Sequence, residues 1–317
     1  TGKVEELFHR HFYPAIETRR YDWPSRSQVS HVILWLDADL LEVLSFTASG
    51  EAIAPSDYYL GPPDPDDAPP YDRIELNEDA AVSFGAGGQR ALSVEGIWGY
   101  SREESPAGQL VGGINDEVTA LAVSNAALIG VGDLLRIDDE RMVVADRAYV
   151  DTTKVLAGNL DDSQAAQAVA VASGHGINAG EVIQIGAERM LVTVAAATAL
   201  TVERAYDGTA LAEHSSGAAI LASRSLTVIR GVYGTEADSH DADAVIARHV
   251  PPSLITDLVI AECIAQRVQE SSGYAVTTGQ GGQASSPGGG AMGERIALLD
   301  LRARAREAYA RSKRVAL

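Results

Sequence analysis

Val94-Glu95-Gly96-Ile97-Trp98-Gly99-Tyr100 closes a strand-rich stretch, and Pro251-Pro252-Ser253-Leu254-Ile255 opens an apolar helix about 150 residues later. The two segments read as halves of one small host module, with an independent domain inserted between them. Upstream of the first segment, His31 to Leu36, Leu41 to Phe46, Tyr58 to Leu60, Arg73 to Leu76 and Leu92 to Trp98 combine β-branched or aromatic residues with polar punctuation, which predicts antiparallel strands. Ser49-Gly50 predicts a hairpin turn, and the proline-rich run Gly61 to Pro70 predicts an exposed loop, since it cannot supply ladder hydrogen bonds. Ahead of the strands, Glu5 to Tyr13 predicts a short helix stopped by Pro14.

Downstream of Pro252, which suits the first turn of a helix, Leu254, Leu258, Ala261, Ala265 and Val268 fall on one stripe, with Ile255 and Val259 beside it. Ser271-Ser272-Gly273 ends this helix. Gly279 to Gly293 holds seven glycines in fifteen residues and predicts a linker or loop, before a final basic helix from Glu294 to Arg314.

Between the halves, from Pro106 to His249, composition shifts to Ala, Val, Gly and Asp, and repeats emerge. Gly132 to Val144 matches Gly180 to Val192 at an offset of 48, both with a Glu-Arg-Met core at Glu140 and Glu188. Leu200-Thr201-Val202-Glu203-Arg204, Gly208-Thr209, His214 and Ile220 match Leu226-Thr227-Val228-Ile229-Arg230, Gly234-Thr235, His240 and Ile246 at an offset of 26. A weaker echo runs from Val155 to Val171. The expected fold class is therefore α+β: a host module of antiparallel strands and helices (1–105, continuing at 250–278), interrupted by a duplicated all-β barrel or sandwich (106–249). The linker (279–293) and basic C-terminal helix (294–317) follow.

A chain of 317 residues, 46% of them hydrophobic, buries a sizeable core. Its apolar runs are too short for a membrane helix, which needs roughly 20 residues. Thr1-Gly2-Lys3-Val4-Glu5-Glu6 lacks an apolar signal core, so no secretion is expected. The single cysteine, Cys263, excludes an internal disulfide framework and is expected to be buried in its helix. The formal charge of −19 argues against wrapping nucleic acid, because phosphate affinity is built from Lys and Arg. Charge is uneven, however. Residues 294–317 carry seven basic side chains against three acidic ones.

Motifs for chemistry are weak. His9 and His11 lie at i and i+2 of a predicted helix and do not face each other. Asp238-Ser239-His240-Asp241-Ala242-Asp243 is oxygen-rich enough for a calcium loop but lacks the glycine of a tight one, and the recurrence of His240 as His214 points to a structural turn. Glu140 and Glu188 invite a paired-carboxylate site, against the expectation that glutamates on equivalent β-turns are solvated. Gly85-Ala86-Gly87-Gly88 and Gly279-Gln280-Gly281-Gly282 lack the strand-before, helix-after context of a phosphate cradle and are read as loops. No nucleophile elbow, Walker-type loop or His-Glu-x-x-His helix occurs, and no catalytic residue, metal or cofactor is expected.

Glu17-Thr18-Arg19-Arg20-Tyr21-Asp22-Trp23-Pro24, Leu34 to Val43, Asp57-Tyr58-Tyr59-Leu60 and Val94 to Tyr100, in this order and spacing, resemble the host pattern of head-to-tail connector adaptors of tailed phages and prophages. In that family the Trp-Gly-Tyr strand is followed closely by a proline-initiated helix such as Pro252 to Glu270, so this chain departs by its insert. The resemblance covers about half the chain. The repeat unit is also similar to small β-modules of phage structural proteins.

The resemblance implies a non-enzymatic virion protein of the head–tail neck, assembled in the host cytoplasm. It would form a ring, usually of twelve copies, between the portal protein and a stopper or tail-terminator protein. Genomic DNA would pass through its channel at ejection without specific binding, and no membrane would be involved. Arg302, Arg304, Arg306, Arg311, Lys313 and Arg314 are the candidates for portal contact, as a basic helix meeting an acidic neighbour. A tail-completion or stopper role in the same neck and, further off, a virion-associated carbohydrate-active β-protein with paired acids are the rival readings. Aromatic residues, at 6%, are sparse for sugar-stacking platforms.

Overall fold

The structure, a computed structural model, describes residues 2–22, 32–61, 69–77, 89–165, 167–271 and 289–311. The expected loops at 85–88 and 279–282, most of the proline-rich run, and Trp23, Pro24, Lys313 and Arg314 lie outside them. The fold is α+β and mostly antiparallel sheet. It divides into two compact units, 1–103 with 250–317, and 104–249.

In the first unit, helix α1 (Gly2–Phe8) ends five residues earlier than Tyr13, because His9 enters the left-handed region at φ 52° and the Glu5 carboxylate accepts the Phe12 amide at 3.1 Å. Six strands follow: β1 (Ala15–Tyr21), β2 (Ile33–Ala48), β3 (Glu51–Ala52), β4 (Tyr58–Gly61), β5 (Tyr71–Leu76) and β6 (Leu92–Trp98), in the order β1-β6-β2-β5-β4 with β3 on β2. Ser49-Gly50 makes the β2–β3 turn with both residues at positive φ.

Two strands were expected where β2 runs unbroken for 16 residues. Register shifts absorb the polar stretch: the ladder slips between Trp35 and Leu40 against β5, and between Leu40 and Glu42 against β6. Gly96 is required opposite that irregularity, since a Cβ there would stand 2.5 Å from the Glu42 carbonyl oxygen. Leu34, Leu40, Phe46, Ile74, Leu92, Val94 and Trp98 form the sheet core, and Trp98 Nε1 donates to the Glu17 carbonyl at 2.9 Å.

Helices α2 (Ser253–Ser271) and α3 (Gly289–Tyr309) complete the unit. Val4, Phe8, Phe12, Ile255, Leu258 and Ala305 form a second core, joined by Tyr100, Leu298, Leu301 and Tyr309. Residues from both chain ends thus share one apolar cluster. The stripe predicted on α2 packs only through its first turns: Leu258 is fully buried, while Val268 is 53% exposed. Cys263, expected inside, is exposed, on the side of α2 turned away from Leu258. Residues 289–293, expected in the linker, belong to α3.

The second unit holds β7 (Glu104–Gln109), β8 (Ala120–Ala122), β9 (Leu134–Ile137), β10 (Glu140–Val155), β11 (Ala168–Ala170), β12 (Val182–Ile185), β13 (Glu188–Ala196), β14 (Ala199–Glu203), β15 (Ala219–Ile229) and β16 (Val245–His249). They form one sheet, β11-β14-β13-β12-β15-β10-β9-β16-β7, with β8 on β15. Its end strands do not pair, so among the described residues there is no closed barrel. Two cores lie along it. One gathers Leu110, Leu121, Val123, Ile129, Leu135, Ile137, Met142 and Val144 with Leu226, Val228 and Ile246. The other is built from Leu156, Val169, Val171, Ile177, Ile183, Ile185, Met190, Val192, Leu200, Val202 and Ile220. The long strands β10 and β15 run from one core to the other through shifts in register.

Candidate functional site

The most concentrated chemistry in the second unit surrounds the two Glu-Arg-Met motifs. Each begins the outgoing strand of a tight hairpin, β9–β10 or β12–β13, and the Met that follows points into a core. The period-two alternation that buries Met142 and Met190 directs Glu140 and Glu188 inward as well. Both glutamates are buried, at 2% and 0% exposure, and not solvated as expected of turn residues.

Glu188 receives Arg204 as a fork, Nε to Oε1 at 2.7 Å and Nη2 to Oε2 at 2.8 Å, with His214 Nε2 at 2.9 Å. The amides of Ala205 and Ala212 add bonds of 3.0 and 3.2 Å. Glu140 repeats the arrangement with Arg230 Nε at 2.9 Å, His240 Nε2 at 2.8 Å, and the amides of Gly231 and Asp238, both at 3.1 Å. Burial alone would raise both carboxyl pKa values, but the arginine and histidine hydrogen bonds and the amides outweigh it and hold each at about 2. Glu181, also buried, is forked by Arg224 at 2.7 and 2.6 Å and accepts the Asn178 and Ala126 amides; these contacts likewise outweigh burial and lower its pKa.

A carboxylate with five donors has no lone pair left for a substrate proton or a metal. Each cluster instead fastens a hairpin to a distant loop: Arg204 Nη1 reaches the Asp161 carbonyl at 2.9 Å, and Arg230 Nη1 the Val118 carbonyl at 3.1 Å. No hydrogen bond joins Glu140 to Glu188 in the described residues. His240 also meets Asp138 Oδ2 through Nδ1 at 2.8 Å, and Asp238 Oδ1 accepts the Ser239 amide at 2.7 Å, so the 238–243 loop is tied down by protein groups. Among the described residues no group of three or more His, Cys, Asp or Glu converges as a metal cage.

The basic C-terminal residues do not act as one set. Arg302 forks Glu262 of α2, with Nη2 to Oε2 at 2.7 Å, and this contact lowers the Glu262 pKa. Arg311 donates to the Leu36 carbonyl at 2.8 Å and lies 3.7 Å from Asp39, which Arg10 Nε approaches to 2.6 Å. Asp39 is buried at 5% exposure, and desolvation pushes its carboxyl up despite both arginines. Arg304 is exposed and, among the described residues, pairs only with Asp300 one turn earlier, and Arg306 is exposed. Sequence reading missed the acids Glu262 and Asp39 because they lie 40 and 272 residues from their arginines.

No protein-family model, curated protein or solved structure matches the chain.

Proposed function

We propose that this chain is a structural protein of a tailed-phage neck, a head-to-tail connector adaptor whose copies form a ring between portal and the remainder of the neck, lining the DNA passage. The observation that carries the reading is the cluster of Phe8, Phe12, Tyr100, Leu258 and Tyr309, in which segments before and after the insert share one core. Within the stretches that resemble adaptors, Glu17 to Tyr21, Leu34 to Val43, Tyr58 to Leu60 and Val94 to Trp98 fall on β1, β2, β4 and β6 of a single sheet, which supports it further. Charge fits the role: outside residues 294–317 the chain carries 41 Asp and Glu against 18 Lys and Arg, an excess that repels a passing phosphate backbone.

We also infer that the inserted unit is one β-module present twice, the second nested inside the first. The matching glutamate clusters and the two cores support this, since the outer one draws on residues 107–144 and 226–246 while the inner one uses 156–222.

Portal contact falls to Arg304 and Arg306, because Arg302 and Arg311 are engaged within their own unit. Lys313 and Arg314 remain candidates outside the described residues. Reversing both charges (Arg304→Glu with Arg306→Glu) and measuring binding to purified portal tests the assignment. Binding weakened at least 10-fold is expected, and unchanged affinity rejects it. Truncation before α3 is a poorer test, because it would uncover Phe8, Phe12 and Leu258.

A further inference from the structure

The Glu-Arg-Met motifs leave one side chain whose two surroundings differ. Arg141 and Arg189 each follow a buried glutamate, and each donates its backbone amide to a threonine hydroxyl at 3.0 Å, Thr235 and Thr209 respectively. Two residues before each threonine the backbone turns through the left-handed region, at φ 54° for Tyr233 and 55° for Asp207. The positions therefore correspond in sequence, contact and conformation.

Their chemistry diverges. Asp207 Oδ2 pairs with Arg189 Nη1, and the Arg189 guanidinium lies 5.4 Å from the centre of the Tyr149 ring. At the other motif Tyr233 stands in the place of that acid. Arg141 makes no ion pair among the described residues, is only 8% exposed, and its Nε is buried without a hydrogen-bond partner. Arg136, directly across the ladder, offers no relief: it is itself a cation and is already committed to Glu104 at 2.6 Å and to the Asp138 carbonyl at 2.6 Å. Burial pulls the Arg141 pKa down, with Glu104 opposing at longer range. Aspartate tolerates the left-handed region and a bulky aromatic does so poorly, so the unpaired cation coincides with local backbone strain.

We propose that Arg141 is a carboxylate-binding site that receives an acidic side chain of a partner polypeptide where Asp207 stands beside Arg189, with Tyr233 as its wall. A guanidinium presents its donors as a fork matched to a carboxylate, and arginine and tyrosine are both enriched among the residues that dominate the centre of protein interfaces. The acidic excess of this unit disfavours a polyanion such as nucleic acid.

The test is a titration of the full chain with N-acetyl-glutamate amide and, separately, inorganic phosphate, following the arginine Nε–Hε NMR signals. Arg141 is identified by the signal lost in Arg141→Gln, and Arg189 serves as internal control for an intact fold. The Arg141 signal is expected to move saturably with the glutamate probe, while Arg189 stays put. In Tyr233→Asp, which supplies the missing acid in cis, the affinity should fall at least 10-fold. An Arg141 signal unmoved by the glutamate probe, tighter binding of phosphate, or a Tyr233→Asp chain that titrates like the parent would each overturn the proposal; the wild-type titration decides even if that variant fails to fold.

Discussion

Replacing the Glu188 carboxylate leaves Arg204, whose side chain is fully buried, without its counter-charge. Breaking such a pair costs about 3–5 kcal/mol, whereas exchanging both partners for apolar groups is often near neutral. Glu188→Gln is therefore expected to lower the urea-unfolding free energy by that amount, with Glu188→Met/Arg204→Met much closer to wild type. The pH dependence has a fixed sign. The folded-state pKa values of Glu140 and Glu188 lie at about 2, below the ordinary 4.5, so the unfolded chain takes up protons first as pH falls. Their stabilisation is complete above about pH 4.5 and lost on descent to about pH 2, on the order of 3 kcal/mol per group. Unfolding midpoints measured from pH 6 to 2 should show that loss, and Glu140→Gln/Glu188→Gln should flatten it. The recurrence of these glutamates was legible in the sequence, but their burial was not. Glu140 meets Arg230 and His240 at separations of 90 and 100 residues, which no local pattern encodes.

At the scale of elements, turn chemistry was the readable part. Ser49-Gly50 and Pro251-Pro252 act on the backbone directly, so their consequences show in a short window, whereas the stop expected at Pro14 was overtaken by the left-handed turn at His9. The continuity of β2 was not readable, because polar Asp37 and Asp39 look like punctuation. In the fold Asp37 accepts from Tyr21 and Arg19, and Asp39 from Arg10. Gly96 carries the clearest prediction here: with Ala in its place, the added methyl meets the Glu42 carbonyl oxygen and the side chain of the fully buried Leu40, so Gly96→Ala should destabilise the first unit by about 1–3 kcal/mol or more in thermal unfolding. The attachment of α3 rests on Tyr309, whose ring meets Tyr100 at 5.4 Å and Phe12 at 6.3 Å in edge-on geometry. Tyr309→Ala is expected to cost about 3 kcal/mol or more and to expose α3 to limited proteolysis. Cleavage at the wild-type rate would show that α3 contributes little.

For the whole molecule, the Val250 amide donates to the Glu103 carbonyl at 2.8 Å, so the ends left by removing residues 104–249 are already hydrogen-bonded neighbours. A domain inserted through adjacent termini should be separable. A fragment of 104–249, and a chain joining Glu103 to Val250 by a short turn, are each expected to give a cooperative unfolding transition. The composition shift at Pro106 was visible in sequence, whereas the assignment of α3 to the same core as Phe8 required the fold. A connector role makes a demand on the assembly itself. Electron microscopy of the purified chain mixed with its portal is the most direct measurement: closed rings of this chain, stacked coaxially on the portal, are expected. A monomer that leaves the portal bare at saturating concentration would contradict the account.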